Sequence, residues 1–497
     1  MRILLIYPEF PDTFWSFKHA LKFIRKKSSS PPLGLLTVAS MLPEEWDLRL
    51  VDMNVHRLKQ KHLQWADFVF ISGMTIQRGS AKEVISQCNA LGVPVIAGGP
   101  LFTIEPEKFN GIDHFILNEA EITLPAFLSD LAHGKPEKVY QTELFADIRE
   151  TPTPMWDLID FRDYATMAVQ YSRGCPFNCD FCNVTSLLGH KMRLKSGAQM
   201  IAELDALYIK GWRGGVFFVD DNLIGNKRQL KNDLLPALIE WRKDKKGITF
   251  NTEASINLAD DPELLRLMVE AGFNQVFIGI ETPVAENLVE CSKRQNLNRD
   301  LISDVKKIQQ AGMQVQGGFI VGFDHDTPST FQRLIDFIQQ SGIVTAMVGI
   351  LQAPVGTILY DRMKKAGRLI KGFSGDNVDG STNIITHMQI DVLNAHYRSL
   401  MDKIYSPENY YQRVKTLLRA YTIKKVKIDF NIAKIWQDLR ALAASILRLG
   451  ILGKERKHYW DLFFWALLKK PSAFSLAITY AIYGYHFRMV NETHILP

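Results

Sequence analysis

The stretch that decides the reading is Arg173-Gly174-Cys175-Pro176-Phe177-Asn178-Cys179-Asp180-Phe181-Cys182. Three cysteines fall within eight consecutive residues at C-x3-C-x2-C spacing, and the whole chain has only five, the others being Cys88 and Cys291. An odd number so unevenly placed is not a disulfide framework. In a reducing compartment such a group reads as a metal site. Three thiolates on one short loop can hold three corners of a cubane iron–sulfur cluster, because soft thiolates suit iron. The fourth iron is then open to a substrate or cosubstrate that can chelate it. Structural zinc would want four ligands, usually in two spaced pairs. His190 is the one further candidate close by in sequence, so the ligand count favours the cluster.

Working outward from the loop, a strand-like apolar run near Ala168 precedes it, and further runs start near Gly215, Thr249, Gln275, Val315 and Thr345. The intervening segments have helical spacing, as in PELLRLMVEAG from Pro262 to Gly272. Eight such βα units close a TIM barrel. Six predict a partial, open barrel over 164–387 with its chemistry at the carboxyl ends of the strands. Upstream, RILLIYP from Arg2, LRLVD from Leu48, FVFIS from Phe68, VPVIAGGP from Val93 and HFILNEAE from His114 alternate with helical stretches. This predicts a doubly wound parallel α/β domain over 1–135, with ligands at its strand ends. Residues 136–163, with Pro136, Pro152 and Pro154, read as a linker. From Met388 the pattern is helical to the end, predicting a helical extension over 388–497.

Composition agrees with a globular protein of about three domains: 497 residues, 46% hydrophobic and 23% charged. No apolar run is long enough for a spanning helix. The apolar part of MRILLIYPEF is too short for a signal peptide, so a cytoplasmic protein is expected. Charge is unevenly spread. Tyr411–Pro497 carries 15 basic and 5 acidic side chains, whereas the rest of the sequence is mildly acidic.

A C-x3-C-x-aromatic-C loop after the first strand of a six-unit barrel resembles the signature of the radical S-adenosylmethionine (SAM) enzymes. The resemblance implies a [4Fe-4S] cluster on Cys175, Cys179 and Cys182, with SAM chelating the open iron and yielding a 5′-deoxyadenosyl radical. It places SAM contacts at Phe181, at Asp220 and Asp221 after the second barrel strand, at Ser255 after the third, at Glu281 after the fourth and at Ile320 on the fifth. For the Asp pair, a helix N-cap is the competing reading. The front domain narrows the match to the cobalamin-binding class, through Pro31-Pro32-Leu33-Gly34-Leu35, Val51-Asp52-Met53-Asn54, Ser72-Gly73-Met74, Gly98-Gly99-Pro100 and Glu119-Ala120-Glu121. The implied cobalamin contacts are Ser72, Gly73, Met74, Thr75, Gly98, Gly99 and Glu119. The Asp-x-His-x-x-Gly motif that supplies a cobalt-ligating histidine elsewhere is absent. His56 is out of place for that role and reads as a surface residue.

A closer similarity, over about residues 1–420, is to hopanoid C-2 methylase and its relatives. It is carried by Tyr7-Pro8-Glu9-Phe10-Pro11, DDNLIGNK from Asp220, TEASINLADD from Thr252, LQAPVGT from Leu351 and GDNVDGSTN from Gly375. It implies methylation of an unactivated carbon on a lipid or other hydrophobic molecule, with an electron donor such as flavodoxin or ferredoxin. A ring closure or rearrangement using the same cofactors is the alternative. An RNA-modifying methylthiotransferase would need three further cysteines in the front domain, where only Cys88 stands, so nucleic acid is not an expected partner.

The tail carries two readings. Ile432, Ile435, Leu439, Leu442, Ile446 and Leu449 recur at helical spacing, and Tyr459, Trp460, Phe463, Phe464 and Trp465 follow a basic group at Lys454, Arg456 and Lys457. Basic residues beside an aromatic stripe suit a helix lying on an anionic membrane, giving a peripheral contact. The same periodicity suits helices packed against the barrel.

Overall fold

The computed structural model describes residues 1–370, 372–376, 378–423 and 432–496, with backbone alone at 432 and 433. The front domain is an all-parallel sheet of β1 (Arg2–Tyr7), β2 (Asp47–Asp52), β3 (Phe68–Ser72), β4 (Val95–Gly98), β5 (His114–Ile116) and β6 (Val139–Tyr140). Their order is β2-β1-β3-β4-β5-β6. The reversal beside β1 is the switch point at which doubly wound sheets bind ligands. Central strands of such sheets are covered on both faces, which explains the unbroken apolar runs. In β1, Leu4 and Ile6 enter one core while Ile3 and Leu5 enter the other. β6 is a strand in the stretch read as a linker. It has two residues and pairs with the edge of β5.

The second sheet joins β7 (Thr166–Val169), β10 (Gly215–Phe218), β11 (Thr249–Glu253), β12 (Phe273–Glu281), β13 (Gln314–Val321) and β14 (Ala346–Ile350). A short antiparallel ladder, β8 (Ser172–Arg173) with β9 (Arg193–Leu194), branches off after β7. The large sheet is parallel and sequential from β7 to β14, which gives the open six-unit barrel. Its helices carry the expected end signals. Pro262–Ala271 begins with Pro at N1 and has Asp261 accepting from the Leu264 amide at 3.0 Å.

Five further helices follow: Ile390–Tyr405, Pro407–Ala420, Ile432–Ser445, Arg456–Lys469 and Phe474–Val490. They cover the free edge of the barrel. The Tyr397 hydroxyl donates to Val348 O at 3.0 Å and that of Tyr405 to Ala346 O at 2.5 Å, both on β14. The Tyr480 hydroxyl reaches Gln314 on β13 at 2.7 Å. Phe487 meets Phe14 and Tyr405 edge or tilted, with ring centres 5.8 and 5.2 Å away. Unpaired strand edges are liabilities, and this cover relieves one.

The tail therefore packs on the barrel, but only by part of its apolar surface. Leu449, Tyr459, Leu462 and Ala466 are buried. Ile435, Trp436, Leu439, Leu447, Phe464 and Leu468 are exposed, so two members of the expected stripe stay in contact with solvent. Ile432 has no described side chain. No described helix is long and apolar enough to cross a membrane.

Candidate functional site

The cysteine loop leaves β8 through Gly174, whose φ is +94°. A Cβ there would lie 2.8 Å from Lys191 O, so the loop turns against the backbone that leads into β9 and only glycine fits. Cys175 N donates to Gly189 O and Cys182 N to Cys179 O, each at 3.2 Å. All three thiols are free and half-buried. Among the described residues they are not drawn to within 4.8 Å of one another, the convergence a single ion would require. Three spread thiols on one loop suit a polynuclear cluster and not a mononuclear zinc site. Cys88 and Cys291 are buried elsewhere: Cys88 in the front-domain core, and Cys291 with its thiol facing Leu288 O at 3.8 Å.

Carboxylates gather beside the loop at the ends of β10, β11 and β12. Asp220 is fully buried, and its carboxylate accepts from the Ser172 amide and hydroxyl and, at 3.3 Å, from the Tyr171 amide. It anchors the start of the cysteine loop and caps no helix. Asn222 hydrogen-bonds the Cys175 thiol and accepts from Ser255 N at 3.2 Å, tying the loop to the end of β11. Asp221 is open to water, yet it lies deep in the cleft, and desolvation lifts its pKa to about 6. Burial, reinforced by Asp221 and Asp220, lifts Glu253 to about 8. Glu281 has φ +64° at a bulge of β12, an uncommon conformation for a side chain of its size. It accepts from Lys293 Nζ at 2.6 Å. Lys293 also faces Cys179 and Cys182, and its ammonium is 6.0 Å from the centre of the Phe181 ring. Phe181 and Ile320 pack on one apolar cluster with Phe323 and Leu351.

In the front domain, Ser72, Gly73, Met74 and Thr75 follow β3, and Gly98 and Gly99 end β4. A Cβ on Gly98 would lie 2.7 Å from Ile116 O, and one on Gly99, at φ +85°, would collide with Ser72 Oγ. Gly98 lets β4 lie close against β5, and Gly99 lets the end of β4 close on the end of β3. Met74 is half exposed, and its amide donates to Gln77 at 2.7 Å. Asp52 and Asn54 are engaged internally: Asn54 Nδ2 donates to Asp52 at 2.8 Å, and the Tyr164 hydroxyl donates to Asp52 at 3.0 Å. Glu119 faces the barrel. It accepts from Arg193 Nη1 at 2.6 and 2.8 Å and from Arg173 Nη1 at 3.2 Å. Glu121 accepts from Arg173 Nη2 at 2.8 Å. The four side chains tie the front domain to the ladder under the cysteine loop.

Between the two sheets lies a cavity of about 1510 Å³. Tyr7, Asn54, Met74 and Ile76 face it from the front domain, and Val219, Thr252, Glu253 and Phe277 from the barrel. The cysteines stand outside its wall. Glu253 is the link, since Asp221 acts electrostatically on both Glu253 and the Cys175 and Cys182 thiols. Toward the tail the wall is mixed, with Ile435, Leu439, Leu442, Ile478 and Ile482 set among Lys434, Gln437 and Asp438. No histidine lines the cavity among the described residues.

Three family models match in sequence order: the B12 binding domain over 24–128, the Radical SAM superfamily over 169–338 and a domain of unknown function (DUF4070) over 357–495. An uncharacterised methyltransferase of Synechocystis is 40% identical, with the match covering 99% of this chain and 92% of that one. Hopanoid C-2 methylase of Rhodopseudomonas palustris is 34% identical over 92% of this chain and 88% of its own. The chain belongs to the cobalamin-dependent radical SAM methyltransferase family. The fold agrees. OxsB, solved with aqua-cobalamin and SAM, superposes with a TM-score of 0.62 at 15% identity, covering 98% of this chain and 79% of that one. TsrM of Kitasatospora setae, with cobalamin and a [4Fe-4S] cluster bound, gives 0.60 at 15%, covering 75% and 79%.

As a member of this radical SAM methyltransferase family, the protein is an enzyme that uses a [4Fe-4S] cluster, SAM and cobalamin. The donor chemistry fits. Three unpaired thiols share one loop, carboxylates stand beside them, and a cavity joins that corner to the front-domain strand ends. Asn222, Glu253, Lys293 and Arg193 were not expected from sequence. Glu253 and Asn222 lie inside quoted motifs, whereas Lys293 and Arg193 have no local signal.

Proposed function

We propose that the enzyme methylates a carbon of a hydrophobic substrate drawn from a membrane, with Cys175, Cys179 and Cys182 holding the cluster. The observation that carries this is the cavity, which runs from Glu253 to apolar side chains of the tail helices. When bound, the three cofactors supply a substrate radical and the methyl group that it accepts. The residues supply position. Asp221 and Glu253 offer negative charge for the SAM ammonium. A cation placed there favours their ionised forms and opposes the upward shifts that burial imposes. Lys293, held by Glu281, neutralises charge on the Cys179 and Cys182 side of the loop. Phe181 and Ile320 give an apolar wall on which the adenine can lie. Ser72, Gly73, Met74, Thr75, Gly98 and Gly99 admit the cobalamin tail at the switch point. Glu119, expected as a cobalamin contact, is better read as a clamp, because its carboxylate is already held by two arginines.

No histidine lines the cavity among the described residues, so a cobalamin bound there would be held without a histidine on cobalt. His56 is exposed and faces Asp163 at 3.5 Å. The Co(II) EPR spectrum of the reconstituted enzyme is expected to show no nitrogen superhyperfine splitting from a lower ligand. A three-line pattern that disappears in His56→Ala would contradict this assignment.

The membrane source rests on charge and shape. The exposed Ile435, Trp436, Leu439 and Phe464 lie on helices that also bear exposed Lys434, Arg440, Arg456 and Lys457. Each basic side chain near an anionic surface is worth about 1 kcal/mol. Sedimentation with phosphatidylglycerol vesicles at low salt is the check. The full-length protein should pellet, and Trp436→Glu with Phe464→Glu, both exposed and outside the cavity wall, should remain in the supernatant. No pelleting of the full-length protein would remove the membrane from the proposal.

A further inference from the structure

Away from the cofactor cavity, the loop after β1 and the last helix bring three metal-ligating side chains together, with His494 beside one of them. Asp12 and His19 come from the N-terminal segment, and His486 and His494 from the C-terminal end. His19 Nε2 lies 2.7 Å from Asp12 Oδ2, and His494 Nε2 lies 3.8 Å from the same oxygen. Ligand atoms of Asp12, His19 and His486 all fall within 4.8 Å of one another. No other trio of histidine, cysteine or carboxylate side chains among the described residues converges this closely.

An Asp–His hydrogen bond on its own would account for Asp12 and His19. It does not account for His486. That ring is fully buried, and its Nε2 lies 3.1 Å from Phe14 O. With Nε2–H donating there, Nδ1 is the lone-pair nitrogen, and it is buried with no partner. An unsatisfied buried acceptor costs about 1–3 kcal/mol, and native structures rarely leave one without a reason.

We infer that Asp12, His19 and His486 form the core of a structural zinc site that fastens the N-terminal segment to the C-terminal helix, with His494, which among them touches only Asp12, closing in as the fourth ligand when the metal binds. Three imidazoles and one carboxylate make the donor set of a closed, four-coordinate site, and imidazole suits zinc well. Zinc–nitrogen and zinc–oxygen bonds of about 2.0–2.2 Å place tetrahedral neighbours roughly 3.3 Å apart. Asp12, His19 and His486, whose ligand atoms lie within 4.8 Å of one another, need a contraction of up to about 1.5 Å, and His494 has to move further than that. The half-exposed His494, in the last turn of the fold, is the member best placed to close in. The site lies outside the cavity and takes no part in the chemistry there. Its effect is on the seam where Phe14 and Phe17 pack against Phe487 and His486.

The test uses the full-length protein with its iron–sulfur cluster reconstituted anaerobically, so that the cysteine loop is filled before zinc is added. Zn²⁺ is titrated against a chromophoric chelator, and the zinc K-edge absorption spectrum is recorded. The inference expects one equivalent bound, a nitrogen/oxygen shell at about 2.0–2.1 Å, no sulfur shell near about 2.3 Å, and a higher thermal midpoint with zinc. His19→Gln and Asp12→Asn, both at partly exposed positions, should each weaken binding tenfold or more while the far-UV circular dichroism is unchanged. His494→Ala should weaken it without touching the buried core. Absence of stoichiometric zinc, a sulfur shell, or undiminished binding in the Asp12→Asn/His19→Gln double variant would overturn the assignment.

Discussion

Replacing any one of Cys175, Cys179 or Cys182 with Ala is expected to bring 5′-deoxyadenosine formation down to the assay background. On the proposed assignment each thiol would hold one iron of the cluster. The three are spread along one loop and cannot substitute for one another, and the neighbouring Cys291 is turned to Leu288 O. Cys88→Ala and Cys291→Ala should leave the yield within about twofold, since Cys88 lies in the front-domain core and the Cys291 thiol, although its backbone touches the loop at Asp180, is turned to Leu288 O; buried truncations cost stability in proportion to volume. The decisive control is the triple alanine variant. If it still shows the EPR signal of a reconstituted cubane, the ligands have been misassigned.

Glu119→Ala should be the most destabilising surface-distant change in the front domain, by about 3–5 kcal/mol, because it leaves buried arginine charge without its partner. The carboxylate is 5% exposed and both guanidinium groups are 13% exposed. It also accepts from the Ala146 amide at 2.5 Å, so the substitution removes a backbone partner as well. A clamp and a cofactor contact separate cleanly here. A clamp predicts a lower thermal midpoint in cofactor-free protein, partly restored when Arg193→Ala is added, since the second change removes the stranded charge. A cobalamin contact predicts an unchanged cofactor-free midpoint and weaker cobalamin binding.

Both sheets were legible because parallel strands buried on two faces leave short apolar runs ended by glycine or proline. β6 was not, because two residues on a sheet edge carry no periodicity. The cysteine loop and its place after the first barrel strands were legible through spacing. The groups around it were not. Lys293 reaches Glu281 across a turn, and Arg193 reaches Glu119 across a domain boundary, so neither pairing leaves a local trace. Asp220 shows the converse. Its place after β10 was read correctly, but its carboxylate is spent on Tyr171 and Ser172. In the tail the helical period was clear, and tertiary packing chose which face to bury. Leu449 is fully buried, whereas Leu439 stays exposed beside the cavity.

The most direct measurement is mass spectrometry of lipid extracts from cells fed methyl-deuterated methionine, comparing cells that carry the wild-type protein, the Cys179→Ala variant, or no copy. The proposal expects a lipid species that bears an intact deuterated methyl group in the first and is missing from the other two. A lipid profile identical in all three, with the label difference confined to water-soluble metabolites, would contradict a hydrophobic substrate.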